Sequence, residues 1–191
     1  MNHAFRSELI LGGVRSGKSL RALSLAKACG GSVAFVATGQ ARDGNMRARI
    51  ARHRAERPRE WAIVEEPFDL VSACRRLVSH HHLLIVDCLT LWVSNLMLRG
   101  DRDDTIVAEA ESLAKLMTER ALSFIVVSNE VGSGVHPLTE VGLRFGELLG
   151  VVNQRIAAAA DCVTLMVAGL PMTIKEAPPS RGPRERIPEA P

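Results

Sequence analysis

The chain has 191 residues, 47% of them hydrophobic, 24% charged and 4% aromatic, with no tyrosine at all. That is the composition of a globular protein long enough to bury a full core, with a single domain as the default. A formal net charge of +3 with so few aromatic rings provides neither the basic field nor the stacking surface of a nucleic-acid binder, and no apolar run reaches the roughly eighteen residues of a membrane span. The first residues lack the basic start and long apolar core of a secretion signal, so the cytoplasm is the expected location. Cys29, Cys74, Cys88 and Cys162 are far apart without a C-x-x-C pair. They read as buried, reduced thiols and not as a zinc site or disulfide framework.

Short apolar runs rich in β-formers alternate with longer helical patterns, which predicts an α/β fold with a mostly parallel sheet flanked by helices. The first strand spans 8–12. It runs into Gly12-Gly13-Val14-Arg15-Ser16-Gly17-Lys18-Ser19, a complete G-x-x-x-x-G-K-S phosphate loop, followed by a helix over 18–29. The spacing has a chemical reason. Glycines let the backbone wrap a phosphate with its N–H groups inward, Lys18 brings charge to the outer phosphates, and Ser19 offers a hydroxyl to Mg²⁺. The helix that follows presents its positive dipole end to the anion.

A second strand over 32–37 ends in Ala37-Thr38-Gly39-Gln40, at the sheet edge where parallel folds place their ligand loops. The next predicted helix, 45–57, lies in a segment crowded by Arg42, Arg47, Arg49, Arg52, Arg54, Arg57 and Arg59, with His53 among them. Arg49, His53 and Arg57 are four residues apart and share one helix face, while Met46 and Ile50 form a neighbouring stripe that can pack inward. Guanidinium groups on both sides favour the neutral imidazole, the form that attacks phosphorus. From composition alone a solvated basic face is the favoured reading of the same helix.

Strands at 61–65 and 82–87 flank a helix over 68–80. The second of them, His82-Leu83-Leu84-Ile85-Val86-Asp87, is an apolar run ending in a carboxylate. In phosphate-loop enzymes such an acid holds Mg²⁺ beside the loop hydroxyl, which pairs Asp87 with Ser19; capping of the next helix is the alternative. His80, His81 and His82 point in different directions and are expected on the surface. Helices at 89–98 and 104–120 lead to a strand over 123–128 and the turn Ser128-Asn129-Glu130-Val131-Gly132. Asn129 and Glu130 there either reach the site or are ordinary polar turn residues. A helix over 138–160 carries Gly142, Gly146 and Gly150 at four-residue spacing, a sign of an interruption or of a close helix–helix approach. A strand at 162–167 and a short antiparallel edge strand ending Met172-Thr173-Ile174-Lys175 complete one catalytic domain over 1–175. Residues 176–191, rich in proline and charge, are expected to be a disordered tail.

Several separated segments occur together in one order: the loop at 12–19, Ala37-Thr38, Arg49-Ile50-Ala51-Arg52-His53-Arg54-Ala55-Glu56-Arg57-Pro58 followed by Trp61, the 128–132 turn, and Val152-Asn153-Gln154-Arg155-Ile156-Ala157. In these the chain resembles the bifunctional adenosylcobinamide kinase / adenosylcobinamide-phosphate guanylyltransferase family of cobalamin biosynthesis, over about residues 8 to 175. The resemblance implies a RecA-like phosphate-loop NTPase fold and a two-step transferase. Adenosylcobinamide is first phosphorylated with ATP or GTP; GMP is then moved from GTP to that phosphate, giving adenosylcobinamide-GDP and pyrophosphate. The family's guanylylated histidine maps to His53. Its nucleotide contacts map to the loop from Gly12 to Ser19, to Ala37, Thr38 and Gly39, to Arg54, Ala55, Glu56 and Arg57, and to Glu65 and Asp87. Lys18 is the second catalytic residue, Ser19 and Asp87 hold Mg²⁺, and Glu65 suits the paired donors of guanine. The resemblance also implies a corrinoid small-molecule substrate, no nucleic-acid partner, and a homo-oligomer, with a trimer expected. A phosphate-loop small-molecule kinase without the transferase step is the first rival reading, and a RecA-like ATPase the second.

Overall fold

The computed structural model describes residues 7–41, 44, 54 and 57–176. Its elements run β1 (Ser7–Gly12), α1 (Lys18–Cys29), β2 (Val33–Ala37), β3 (Ala62–Glu65), α2 (Leu70–Val78), β4 (Leu83–Asp87), α3 (Leu89–Arg99), α4 (Asp103–Thr118), β5 (Ser123–Val127), α5 (Glu140–Ala159), β6 (Cys162–Val167) and β7 (Leu170–Lys175). Apart from the helix over 45–57, the predicted strands and helices are all present among these, with ends shifted by a few residues. The predicted helix over 45–57 lies largely outside the described residues, as does nearly all of the tail from 177 onward.

The strands form one seven-stranded sheet in the order β3-β2-β4-β5-β1-β6-β7. All neighbours are parallel except β6 and β7. Because helices cover both faces, the central strands are apolar on both sides, which is why they read as continuous runs without alternation. Leu9, Val36, Leu84, Val86, Phe124 and Val126 face one core, shared with α2, α3, α4 and α5. Ile10, Phe35, Ile85, Ile125 and Val127 face the other, closed by Ala22, Leu23 and Ala26 of α1 and by Trp61.

Two expectations are corrected. The helix α5 is continuous across its three glycines. Thr139 caps its start by accepting from the Gly142 N–H at 3.1 Å, and a Cβ on Gly142 would meet Pro137 at 2.7 Å, whereas Gly146 and Gly150 face open space. No close helix approach explains those two glycines; the packing of Leu148, Leu149, Val152 and Ile156 outweighs their weak propensity. None of the four cysteines is in a disulfide, but only Cys74 is fully buried. Burial pushes its thiol up to about 12, and burial followed by the Glu8 charge raises Cys29 as well.

The β6–β7 connection is a two-residue turn with Ala168 and Gly169 both at positive φ, 51° and 85°, the backbone that matches strand twist in a tight hairpin. At the far end of β7, Lys175 Nζ donates to the carbonyls of Ala157, Ala158 and Ala160 at 3.1, 3.0 and 2.5 Å. It thereby satisfies the orphan C-terminal acceptors of α5. Among the described residues no helix is long and apolar enough to cross a membrane.

Candidate functional site

The register brings the ends of five strands into one row. Glu65 pairs with Ala37, Ala37 with Asp87, Asp87 with Val127, and Val127 with Ile10. All these strands are parallel, so the row lies along the carboxyl edge of the sheet, where open α/β folds bind their ligands. At one end of it, two residues beyond Ile10, the phosphate loop leaves β1. Glu65 stands at the other end, four strand spacings or roughly 19 Å away.

The loop is shaped by two glycines and by the β6–β7 hairpin. Gly12 has φ 147° and Gly17 φ 98°; a Cβ on Gly12 would lie 2.5 Å from the Met166 carbonyl oxygen and 2.6 Å from Ser16 Oγ. The hairpin reaches in from the other side, where the Gly169 N–H donates to the Ser16 carbonyl at 3.0 Å. Gly13, by contrast, has open space around its missing Cβ. Gly12→Ala is therefore expected to destabilise the fold by at least about 1–3 kcal/mol from backbone strain alone, while Gly13→Ala stays close to the native value. Equilibrium denaturation of the two variants side by side checks this, and equal midpoints would contradict it.

Lys18 is buried, and its Nζ donates to the carbonyls of Gly12 at 2.9 Å and Gly13 at 2.6 Å. The ammonium thus sits inside the loop, with Val14 and Arg15 exposed at its tip. Ser16 Oγ is buried there and has no hydrogen-bond partner among the described residues. A buried orphan hydroxyl is costly unless a ligand engages it. The following helix is anchored under the loop by Glu8, which accepts from Thr164 Oγ1 at 2.9 Å and pairs with Arg21 at 3.6 Å.

Asp87 ends β4, separated from β1 by β5. Half-buried Ser19, in the first turn of α1, supplies the hydroxyl. One carboxylate and one hydroxyl are hard oxygen donors, a set that suits Mg²⁺, which takes its remaining ligands from water and phosphate. Among the described residues no group of three or more His, Cys, Asp or Glu side chains is gathered for a metal.

Thr38 is fully buried and joins β2 to β4. Its N–H donates to the Asp87 carbonyl at 3.1 Å, its hydroxyl donates to the Cys88 carbonyl at 2.7 Å, and the same oxygen accepts from the Cys88 N–H at 2.8 Å. Its carbonyl accepts from Asn95 Nδ2 at 2.7 Å, and Asn95 also donates to Pro67 at 3.2 Å. Asn95 was not singled out from sequence, although an amide placed one residue before buried Leu96 in a helix with Leu89, Trp92 and Val93 signals a polar group inside the core. It ties together the two points, Thr38 and Pro67, between which the arginine-rich arm leaves and returns to the sheet.

Of that arm, His53, Ala55 and Glu56 lie outside the described residues, as do Arg42, Arg47, Arg49 and Arg52. Arg54 pairs with Glu65 at 3.7 Å, both side chains being mostly exposed, so the ion pair adds little stability while placing Arg54 at the end of the row. The Arg57 guanidinium stacks 3.5 Å over the Phe35 ring, a cation–π contact that holds the return of the arm to β2. Half-buried Gly39 follows Thr38 at the arm's start.

Comparison with known proteins shows the family. Residues 8–174 match the family described as cobinamide kinase / cobinamide phosphate guanyltransferase. The bifunctional adenosylcobalamin biosynthesis protein CobP of Pseudomonas aeruginosa is 46% identical over 171 residues, which cover 90% of this chain and 98% of the relative. The bifunctional adenosylcobalamin biosynthesis protein CobU of Escherichia coli is 35% identical over 179 residues, with 87% and 98% covered. Among solved structures, the KaiC-like protein PH0186 of Pyrococcus horikoshii superposes with a TM-score of 0.50 at 18% identity, over 84% of this chain and 70% of that one. The ATPase EscN of enteropathogenic E. coli superposes with a TM-score of 0.58 at 11% identity, over 86% of this chain and 43% of that one. At such identities these two speak for the phosphate-loop fold alone.

Proposed function

The chain belongs to the cobinamide kinase / cobinamide phosphate guanyltransferase family, and from that premise we propose that it carries out both steps on one corrinoid. It phosphorylates the hydroxyl of adenosylcobinamide with ATP or GTP, and it then transfers GMP from GTP to the new phosphate through a guanylyl-histidine on His53. The products are adenosylcobinamide-GDP and pyrophosphate. The reading is carried by the row along the sheet edge: a loop closed around buried Lys18 at one end, Asp87 in the middle, and the Arg54–Glu65 pair at the other.

That row has the polarity of a bound nucleoside triphosphate. The loop N–H groups, Lys18 and Ser16 take the phosphates, and Ser19 and Asp87 would hold Mg²⁺ against them. When bound, the ion supplies charge neutralisation on the phosphate oxygens. Glu65, roughly 19 Å from the loop, accepts from the ring N–H and amino group of guanine, and Arg54 keeps that carboxylate in place. In the second step, the imidazole of His53 attacks the α-phosphorus, the P–N bond forms as the α–β bridge breaks, and pyrophosphate leaves against Lys18 and the arginines. An oxygen of the corrinoid phosphate then attacks the same phosphorus, the new P–O bond forms as the P–N bond breaks and the imidazole is freed, so that two easier displacements replace one hard one. The same reading places the enzyme in the cytoplasm as a homo-oligomer, with a trimer expected.

The test is a product assay. Adenosylcobinamide with ATP alone is expected to stop at the phosphate, and addition of GTP to carry it to the GDP conjugate with one pyrophosphate released per turnover. Phosphate formation that GTP never advances would leave a kinase only.

A further inference from the structure

The kinase step needs a group to accept the proton of the attacking hydroxyl, and none of the residues assigned above does this. Candidates are limited by position. Glu65 stands at the far end of the row beside Arg54. Glu66 spends an oxygen on the N–H groups of Phe68 and Asp69 at 3.1 and 2.9 Å, and Asp87 belongs with Ser19. Among the described residues, what remains is the turn that leaves β5. Since β5 lies directly between β1 and β4, this turn emerges between the phosphate loop and Asp87, over the place where the terminal phosphate of a bound nucleotide belongs.

The turn is held there by main-chain bonds. The Ser128 N–H donates to Ile10 at 3.0 Å and the Glu130 N–H donates to the carbonyl of Gly12, the first loop residue, at 3.2 Å. Between them, the Asn129 N–H donates to Thr90 Oγ1 at 2.8 Å, and its carbonyl accepts from Asn153 Nδ2 at 3.1 Å. A surface turn needs no such bracing from two helices and the phosphate loop. Rigid placement of one side chain against the loop is what catalysis requires. Glu130 is half-buried as a residue, and its carboxylate is oriented by an exposed bond from the Gly132 N–H, which donates to Oε1 at 2.7 Å. His136 lies further along the segment and is exposed.

We propose that Glu130 is the general base of the kinase step. This rests on the functional reading above. As the substrate hydroxyl oxygen forms its bond to the γ-phosphorus, the bond from that phosphorus to the β–γ bridging oxygen breaks. The hydroxyl proton passes to the Glu130 carboxylate and on to water, and the nucleoside diphosphate departs with the electron pair.

Glu130→Gln is the sharp variant, because its amide oxygen still accepts from Gly132 but the group no longer takes a proton. With the full chain, adenosylcobinamide and γ-labelled ATP, the kinase kcat is expected to fall by about 10²–10⁴-fold with KM for ATP nearly unchanged. GMP transfer from GTP to supplied adenosylcobinamide phosphate is expected to stay near native, and Glu130→Asp to recover part of the kinase rate. A Glu130→Gln kinase rate close to native, or an equal fall in both activities, would overturn the assignment. A native chain that phosphorylates no adenosylcobinamide would overturn the functional reading itself, and this role with it.

Discussion

His53→Ala is expected to abolish formation of adenosylcobinamide-GDP while leaving phosphorylation of adenosylcobinamide near the native rate. The two steps ask different things of the protein. Phosphoryl transfer to a hydroxyl needs positioning and charge stabilisation, which the proposed mechanism assigns to the loop, Lys18 and Asp87. Transfer of GMP by covalent catalysis needs a nucleophile, and without the imidazole no group on the described sheet edge replaces it. A nucleophile that forms an obligatory intermediate has an all-or-none effect, so the loss is to below detection and not a modest fall in rate. Measuring both products from one incubation, by chromatography of the corrinoids, separates this outcome from general damage. Loss of both activities would mean that His53 serves the fold or the nucleotide site in common.

Lys18→Ala is expected to lower both activities together, by about 10²–10³-fold in kcat. Its ammonium lies inside the loop on the carbonyls of Gly12 and Gly13, so it is already in place for the charge that develops on the departing phosphates, and water does not substitute for it at a buried position. In the proposed mechanism both steps break a phosphoanhydride of a nucleotide held by this loop. A common fall is therefore the signature of one nucleotide site serving both reactions. If Lys18→Ala removed only the kinase step, a separate GTP site would be required. Lys18→Arg is expected to rescue little, since a planar guanidinium does not fit the space of a compact ammonium between two carbonyls.

Much of this was legible in the residues. The phosphate loop states its own function because its chemistry is local: eight consecutive residues carry the wrap, the cation and the hydroxyl. The strands were readable because a sheet covered on both faces is written as short apolar runs, and the polar residue that ends such a run, as Asp87 does, marks the carboxyl edge. What was not legible depends on contacts between distant segments. Asn95 acts through the carbonyls of Thr38 and Pro67, and Thr90 and Asn153 through the main chain of Asn129; backbone acceptors leave no trace in a sequence. Thr38, which the resemblance maps to the nucleotide contacts, also clasps β2 to β4 through its N–H, hydroxyl and carbonyl, and that second role left no mark in the sequence. Gly146 and Gly150 resembled a packing motif by spacing alone, but spacing does not say which helix face is covered. His53 was singled out from its arginine surroundings and from the family resemblance, and it lies outside the described residues, so its role is tested by chemistry and not by geometry.

The most direct test of the central claim is covalent labelling. The native chain and His53→Ala are incubated with Mg²⁺ and GTP labelled at the α-phosphate, without corrinoid, and resolved on a denaturing gel. The account predicts an acid-labile, alkali-stable label on the native chain, none on the variant, and its release on addition of adenosylcobinamide phosphate. An unlabelled native chain that still forms adenosylcobinamide-GDP would contradict it, since GMP would then pass from GTP to the corrinoid without resting on the protein.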